Sequence, residues 1–180
     1  MRWWRVKRGE PKAPTAVQLR EAGTRALAKG RTGEAISLFE DAIRLEPGNF
    51  KGRVNLASAY YVAGQRERAV PHLRYVLALD ENHPTALLNL AACLDALGEV
   101  EESIECLQKL VASRPEWKDG HYNLAIALLK TGDRSGAEAS LRRELSNNPA
   151  HRGARELLGR LALASPTEGL TEHGEPPDNG

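Results

Sequence analysis

The side chains able to do chemistry in this 180-residue chain are few and scattered. The histidines are His72, His83, His121, His151 and His173. No two stand at the close helical spacing that lets a pair of imidazoles grip zinc, and Cys93 and Cys106 do not form a CxxC pair. Two cysteines are also too few for a disulfide framework, and in apolar helical surroundings each reads as a small buried hydrophobe. His83 and His151 close corresponding segments, so turn chemistry accounts for them better than metal binding. Glu99, Glu101 and Glu102 sit near a helix start, where the helix dipole favours acids over any paired-carboxylate role. The glycines are spread along the chain and make no phosphate-cradling loop. These residues predict no catalytic constellation, no metal site and no cofactor.

A third polar residue type is more regular. Asn55, Asn89 and Asn123 recur at a step of 34 residues, within VNLA, LNLA and YNLA. Asparagine is a poor helix-interior residue, so its repetition needs a reason. Its amide both donates and accepts, which suits any peptide backbone regardless of sequence. It is equally able to brace a helical hairpin from within.

The elements that position these residues share the same period. Gly30, Gly64, Gly98 and Gly132 recur at 34 residues, as do Gly23, Ala57, Ala91 and Ala125. Ala35, Ala69, Ser103 and Ala137 keep the step, and so do Phe39, Leu73, Leu107 and Leu141. A fixed period of this length marks stacked supersecondary units. In residues 50–83, Val54, Leu56, Ala57, Tyr60 and Tyr61 form one helical stripe, and Ala69, Leu73, Val76, Leu77 and Leu79 form a second. Gly64 between them suits the left-handed conformation that ends a helix. Pro47, Pro115 and Pro149 stop the second helix in three repeats, whereas Glu81 in their place predicts a softer end in repeat two. Pro71, within the second helix of that repeat, predicts a kink or a late start. The small residues allow close helix approach, and the large ones fill the space between hairpins. No hairpin of this size buries its apolar face alone, so stability comes from neighbour on neighbour.

In Leu87, Leu90, Ala91, Leu94, Gly98, Ser103, Leu107, Leu110 and Pro115, the third repeat resembles the tetratricopeptide repeat, a 34-residue helix–turn–helix unit. The resemblance implies an all-α fold, a right-handed superhelical solenoid of four helix–turn–helix repeats plus a C-terminal capping helix. The repeats span 16–49, 50–83, 84–117 and 118–151, and the capping helix spans 152–164 with Leu158, Gly159 and Ala162 on its stacking face. Two positions depart from the family pattern. Its first large residue is replaced by Leu19, Arg53, Leu87 and His121, and Glu144 stands where Ala42, Val76 and Leu110 stand. The second departure reads as a sign that repeat four is terminal and less covered.

The resemblance further implies that first helices line the inside of the curve, where asparagine ladders hold a ligand's main chain in some members. The expected peptide-binding groove comprises Asn55, Asn89 and Asn123 with Val54, Ser58, Tyr61, Leu88, Ala92, Tyr122, Ile126 and Leu129 beside them. Arg20, Lys51, Asp95, Asp119 and Lys130 add charge of both signs. A chaperone-binding subgroup clamps a C-terminal carboxylate. Its places fall here on Arg20, Thr24, Asn55, Thr85 and Asn89, of which only Arg20 and Asn55 are suitable, so that clamp is not expected.

Composition sets the outer limits. There are 25 Lys and Arg against 24 Asp and Glu, a balance that argues against a general nucleic-acid binder. Residues 1–15 form a basic arm of net +4, with Arg2, Arg5, Lys7, Arg8 and Lys12 against Glu10. Residues 165–180 form an acidic tail of net −4 carried by Glu168, Glu172, Glu175 and Asp178, too polar to fold. No stretch approaches the ~20 apolar residues of a membrane span, and the N-terminus lacks the apolar run of a secretory signal. The cytoplasm is the default location. The sequence reads as a non-catalytic interaction scaffold that takes an extended peptide or a helix in its groove. The alternatives are a substrate-docking or adaptor subunit of a separate enzyme such as a transferase, or a membrane-surface assembly factor. The last rests on Trp3 and Trp4 between Arg2 and Arg5, which otherwise fold back over repeat one or stay disordered.

Overall fold

The computed structural model describes residues 13–163, so the Trp–Arg segment and the acidic tail lie outside the described residues. The expected all-α class is observed: nine helices and no strand among the described residues. They are α1 (Ala16–Ala28), α2 (Thr32–Leu45), α3 (Phe50–Val62), α4 (Arg66–Leu79), α5 (Pro84–Leu97), α6 (Val100–Ser113), α7 (Gly120–Lys130), α8 (Arg134–Asn147) and α9 (Arg152–Leu163). They fall into two compact units, one ending at Gly120 and one beginning at His121.

The turn inside each hairpin is built identically four times. Gly30, Gly64, Gly98 and Gly132 have φ of +72°, +75°, +86° and +82°. That left-handed conformation lets the next residue's N–H reach back to a carbonyl five residues earlier. The bonds are Arg31 to Ala26, Gln65 to Tyr60 and Glu99 to Leu94 at 2.9 Å, and Asp133 to Leu128 at 3.0 Å. They satisfy carbonyls that a helix end leaves orphaned.

The ends of the second helices are equally uniform. Glu46, Asp80, Arg114 and Asn148 share φ near −135° and ψ near 80°. Repeat two therefore ends as sharply as the others, without a proline. The proline following the other three ends is compatible with the turn but does not make it. Pro71 does not delay α4 either, which begins at Arg66 in register with Thr32, Val100 and Arg134.

The first helices start at one cap position that recurs five times and is filled by four residue types. Thr15 Oγ1 accepts from Gln18 N–H at 3.3 Å, and Asn49 Oδ1 accepts from Gly52 N–H at 3.0 Å. His83 Nδ1 accepts from Ala86 N–H at 3.2 Å, and His151 Nδ1 from Ala154 N–H at 3.0 Å. The two histidines are thus helix caps, each using its unprotonated ring nitrogen as asparagine uses its oxygen. Trp117 holds the fifth place, and its indole can only donate. There the chain makes a detour: Asp119 takes φ of +60° and Gly120 N–H bonds Trp117 carbonyl at 2.9 Å. As a result α7 starts at Gly120, two residues later than the repeat predicts.

Glu144 corrects the reading of repeat four as less covered. It is 2% exposed, and its carboxylate accepts from Tyr122 N–H at 3.3 Å. Tyr122 is the third residue of α7, one of the N–H groups left over at a helix start. An acid buried at a place that is apolar elsewhere thus supplies an acceptor to the first helix whose cap position, held by Trp117, offers none. The Arg53 departure also has a reason, shared by Arg155 at the corresponding place of α9: each guanidinium closes the preceding turn by donating to a proline carbonyl, Pro47 and Pro149 respectively.

In the first unit the core runs through Phe39, Leu56, Ala57, Tyr60, Ala69, Leu73, Val76, Leu90, Cys93 and Leu94, all buried. Ser103 stands where the other repeats have alanine, and its hydroxyl donates to the Ala91 carbonyl at 2.9 Å. Three exposed ion pairs join successive repeats, each between residues 28 apart: Glu40–Arg68 and Arg74–Glu102 between second helices, and Glu81, in the turn after α4, with Lys109 of α6. Pairs this exposed contribute little stability each. The first two occupy equivalent places with reversed sign, so a repeat stacked out of order would meet like charge.

In the second unit α9 packs on α8, and Ala154 is its buried residue. Arg134 donates to the Leu161 carbonyl at the far end of α9. Gly159 and Ala162, expected on the stacking face, are exposed. Their counterparts Ala125 and Leu128 are buried, at 0% and 7% exposure. In a complete hairpin those places face the repeat's own second helix, which α9 lacks among the described residues.

The two helices of repeat one pack closely at Gly23. A Cβ placed on Gly23 would come within 2.6 Å of Phe39 Cε1. The other repeats pair alanine with leucine at these two places. Gly23→Ala is therefore expected to destabilise by about 1–3 kcal/mol through overpacking, despite alanine's better helix propensity. Adding Phe39→Leu restores the pairing of repeats two to four. Chemical denaturation of the four members of the cycle should show favourable coupling of roughly 0.5–3 kcal/mol; additive losses would refute the contact.

A polar cluster sits beside that core. Tyr60 donates to Glu40 Oε1 at 2.5 Å, and burial, then the carboxylate, pushes its hydroxyl up to about 12. His72 stacks on the Tyr60 ring at 5.9 Å and faces Arg53, Glu40 and Arg68. Burial, then Arg53, holds His72 below its ordinary value of 6.5. The unfolded chain therefore takes up this proton first, and stability is lost as pH falls below about 6.5. Replacing His72 with Gln should flatten that part of the stability–pH curve in thermal melts; an unchanged slope would exclude His72 as its source.

Candidate peptide-binding groove

The asparagines lie on first helices, and local folding fixes their direction. In α3 the stripe Leu56, Ala57, Ala59 and Tyr60 is buried, so Asn55 and Ser58 fall on the flank and are half-buried. In α5, Leu87, Leu90, Ala91, Cys93 and Leu94 are buried, leaving Leu88, Asn89 and Ala92 half-buried on the same flank. Asn89 Nδ2 donates to Ser58 Oγ at 2.9 Å, and Ser58 Oγ donates to the Val54 carbonyl at 3.0 Å. One asparagine of the series therefore ties two first helices together. The amides of Asn55 and Asn123 have no hydrogen-bond partner among the described residues.

The remaining expected groove residues are not equivalent. Tyr61 is 39% exposed at the end of α3, with Val62 beside it at 62%. Arg66 lies 5.4 Å from the Tyr61 ring centroid, over its face. Val54 is 6% exposed and belongs to the core, so it does not line an open surface. Arg20 lies half-buried on the second turn of α1, and Lys51 exposed on the first turn of α3. Asp95 is half-buried near the end of α5, and Asp119 occupies the left-handed turn before α7. Cys93 and Cys106 are free thiols; burial pushes Cys93 up to about 11 and raises Cys106, as suits packing rather than nucleophilic residues.

In the second unit α7 carries Tyr122, Asn123, Ile126 and Leu129 half-buried, and Lys130 exposed. The Tyr122 ring packs against the His151 ring, with centroids 4.6 Å apart. A Cβ on Gly153 would come within 3.0 Å of the Tyr122 hydroxyl. Tyr122 is thus engaged by the start of α9. Arg66, against the Tyr61 ring, was not among the expected groove residues. Its signal was the apolar Val70 four residues on, which leaves the arginine without a helical ion-pair partner.

Comparison with known proteins agrees with the repeat geometry. A tetratricopeptide repeat family model matches residues 26–70 and 63–122, and a second matches residues 122–167. Tetratricopeptide repeat protein 8 of Caenorhabditis elegans is 26% identical over 136 residues, covering 74% of this chain and 27% of that protein. The Hsp70-Hsp90 organizing protein of Triticum aestivum is 27% identical over 153 residues, covering 84% of this chain and 20% of that protein. The chain thus spans about a quarter or less of these relatives' length. Among solved structures, YrrB, a TPR protein with an unusual peptide-binding site, superposes with a TM-score of 0.70 at 24% identity, over 79% of this chain and 73% of that one. MamA from Desulfovibrio magneticus gives 0.75 at 22% identity, over 82% and 84%. No helix among the described residues is long and apolar enough to cross a membrane. With four glycine turns of one geometry, one repeated cap position and family models along its length, this chain belongs to the tetratricopeptide repeat family and has its all-α helical-repeat fold.

Proposed function

We propose that the protein is a non-catalytic scaffold that binds a segment of another protein along the flank of its first helices. The observation that carries this reading is a half-buried amide without a partner among the described residues on a first helix of each unit, Asn55 in the first and Asn123 in the second. Half-buried amides without partners on a regular step are suited to the N–H and C=O groups of a ligand's main chain. Tyr61, exposed on the same helix as Asn55, supplies an aromatic face of the kind enriched in binding sites. Support also comes from the family, whose relatives include a protein named for organizing Hsp70 and Hsp90. The carboxylate clamp of the chaperone-binding subgroup is not part of this proposal, because Thr24 and Thr85 occupy two of its places.

The asparagines divide by role. Asn89→Ala removes the bond to Ser58 and is expected to lower the melting temperature, at a cost of about 0.5–1.5 kcal/mol. The double variant N55A/N123A breaks no internal bond and is expected to melt like the parent. Its affinity for a captured partner, measured by calorimetry, should fall about tenfold, equivalent to ~1.4 kcal/mol. Unchanged affinity of the double variant would place the ligand elsewhere.

A further inference from the structure

We propose that Arg66, beside Tyr61, holds a carboxylate of the peptide bound along the first helices, so that the partner segment is recognised by an acidic residue. The inference rests on the binding reading above and adds the chemistry of one subsite.

Arg66 differs from its counterpart two repeats later. Arg134 stands in the same place at the start of its second helix. Its guanidinium is satisfied twice: it bonds Glu138 one turn along at 3.2 Å, and it donates to the Leu161 carbonyl of α9. Neither acceptor exists for Arg66. The counterpart of Glu138 is Val70. The counterpart of Leu161 is Cys93, close enough that the Arg66 charge acts on its thiol. Leu161 lies in the last turn of α9, where carbonyls have no helical partner, but α5 continues to Leu97 and so uses the Cys93 carbonyl internally. Arg66 therefore makes no hydrogen bond or ion pair among the described residues. Its Nε is shielded from solvent without a partner. A guanidinium with a dry, unpaired N–H is a costly group, and a ligand oxygen that reached it would relieve that cost.

The surroundings select the ligand's charge. The guanidinium lies over the exposed Tyr61 ring, at the edge of the flank that carries Asn55. It also sits at the first residue of α4, where leftover N–H groups favour negative charge, and the cap residue Gln65 makes no side-chain cap. A planar carboxylate matches the arginine fork, and charge-assisted bonds of that kind are shorter and stronger than neutral ones.

The experiment probes the full chain with a positional-scanning library of short acetylated, amidated peptides, each carrying Asp, Glu, Asn or Gln at one fixed place. A parallel arm leaves the C-terminus free. The parent protein is expected to retain acidic over amide peptides by about tenfold, and the two arms distinguish a side-chain from a terminal carboxylate. Arg66→Gln should bring the ratio close to one, and Arg66→Lys should retain part of it. Retention of peptides with no acidic preference, or the same preference in Arg66→Gln, would overturn the proposal while leaving the binding reading intact. Retention of no peptide would overturn both. If Arg66→Gln fails to fold, the acid-to-amide ratio on the parent still decides, because a ratio near one sinks the proposal alone.

Discussion

Everything in this chain depends on apolar faces that no single hairpin can cover. A hairpin of about 30 residues offers one stripe per helix, and each stripe needs a neighbour to leave water. The contact that sets the spacing is a small residue of the first helix against a large residue of the second. Ala57, Ala91 and Ala125 meet this requirement with leucines, while Gly23 meets it with Phe39. Volume is conserved by exchange between the two places, as close packing demands. Charge on the second helices fixes the order of stacking more than its strength.

The same dependence divides the polar residues into those used in the stack and those left over. Ser103, Glu144 and Asn89 look like anomalies in a hydrophobic pattern, yet each completes a bond that the backbone or a neighbouring repeat requires. Arg134 is consumed by the end of α9. Asn55, Asn123 and Arg66 occupy equivalent places without equivalent partners. A repeat protein thereby exposes its candidate binding groups by contrast: where structure uses a side chain in one repeat, the same place in another repeat is free for a ligand.

Most of the architecture was legible because it is written four times. The turn glycines, the second-helix starts and the small-to-large pairing all follow from a step of 34 residues. What escaped was chemistry that breaks the period. The sequence shows Trp117 at a cap position, but the left-handed Asp119 and the late start of α7 follow only once the missing acceptor is recognised. Glu144 read as an exposed end because burial of a lone acid has no signature without its backbone donor. Gly159 and Ala162 followed the first-helix pattern faithfully, yet that pattern describes a hairpin with two helices, and α9 stands without its second among the described residues. For the candidate site, the asparagine series was visible, but which member braces the stack was decided by Ser58, a residue the period does not repeat.

The direct test of neighbour dependence is the thermal unfolding of residues 49–83 as an isolated peptide, followed by circular dichroism beside the full chain. That segment holds a complete hairpin with its Asn49 cap, its Gly64 turn and both helices. The account predicts weak helicity and no cooperative transition, against a cooperative transition in the full chain. A concentration-independent, cooperative melt of the lone hairpin would contradict it.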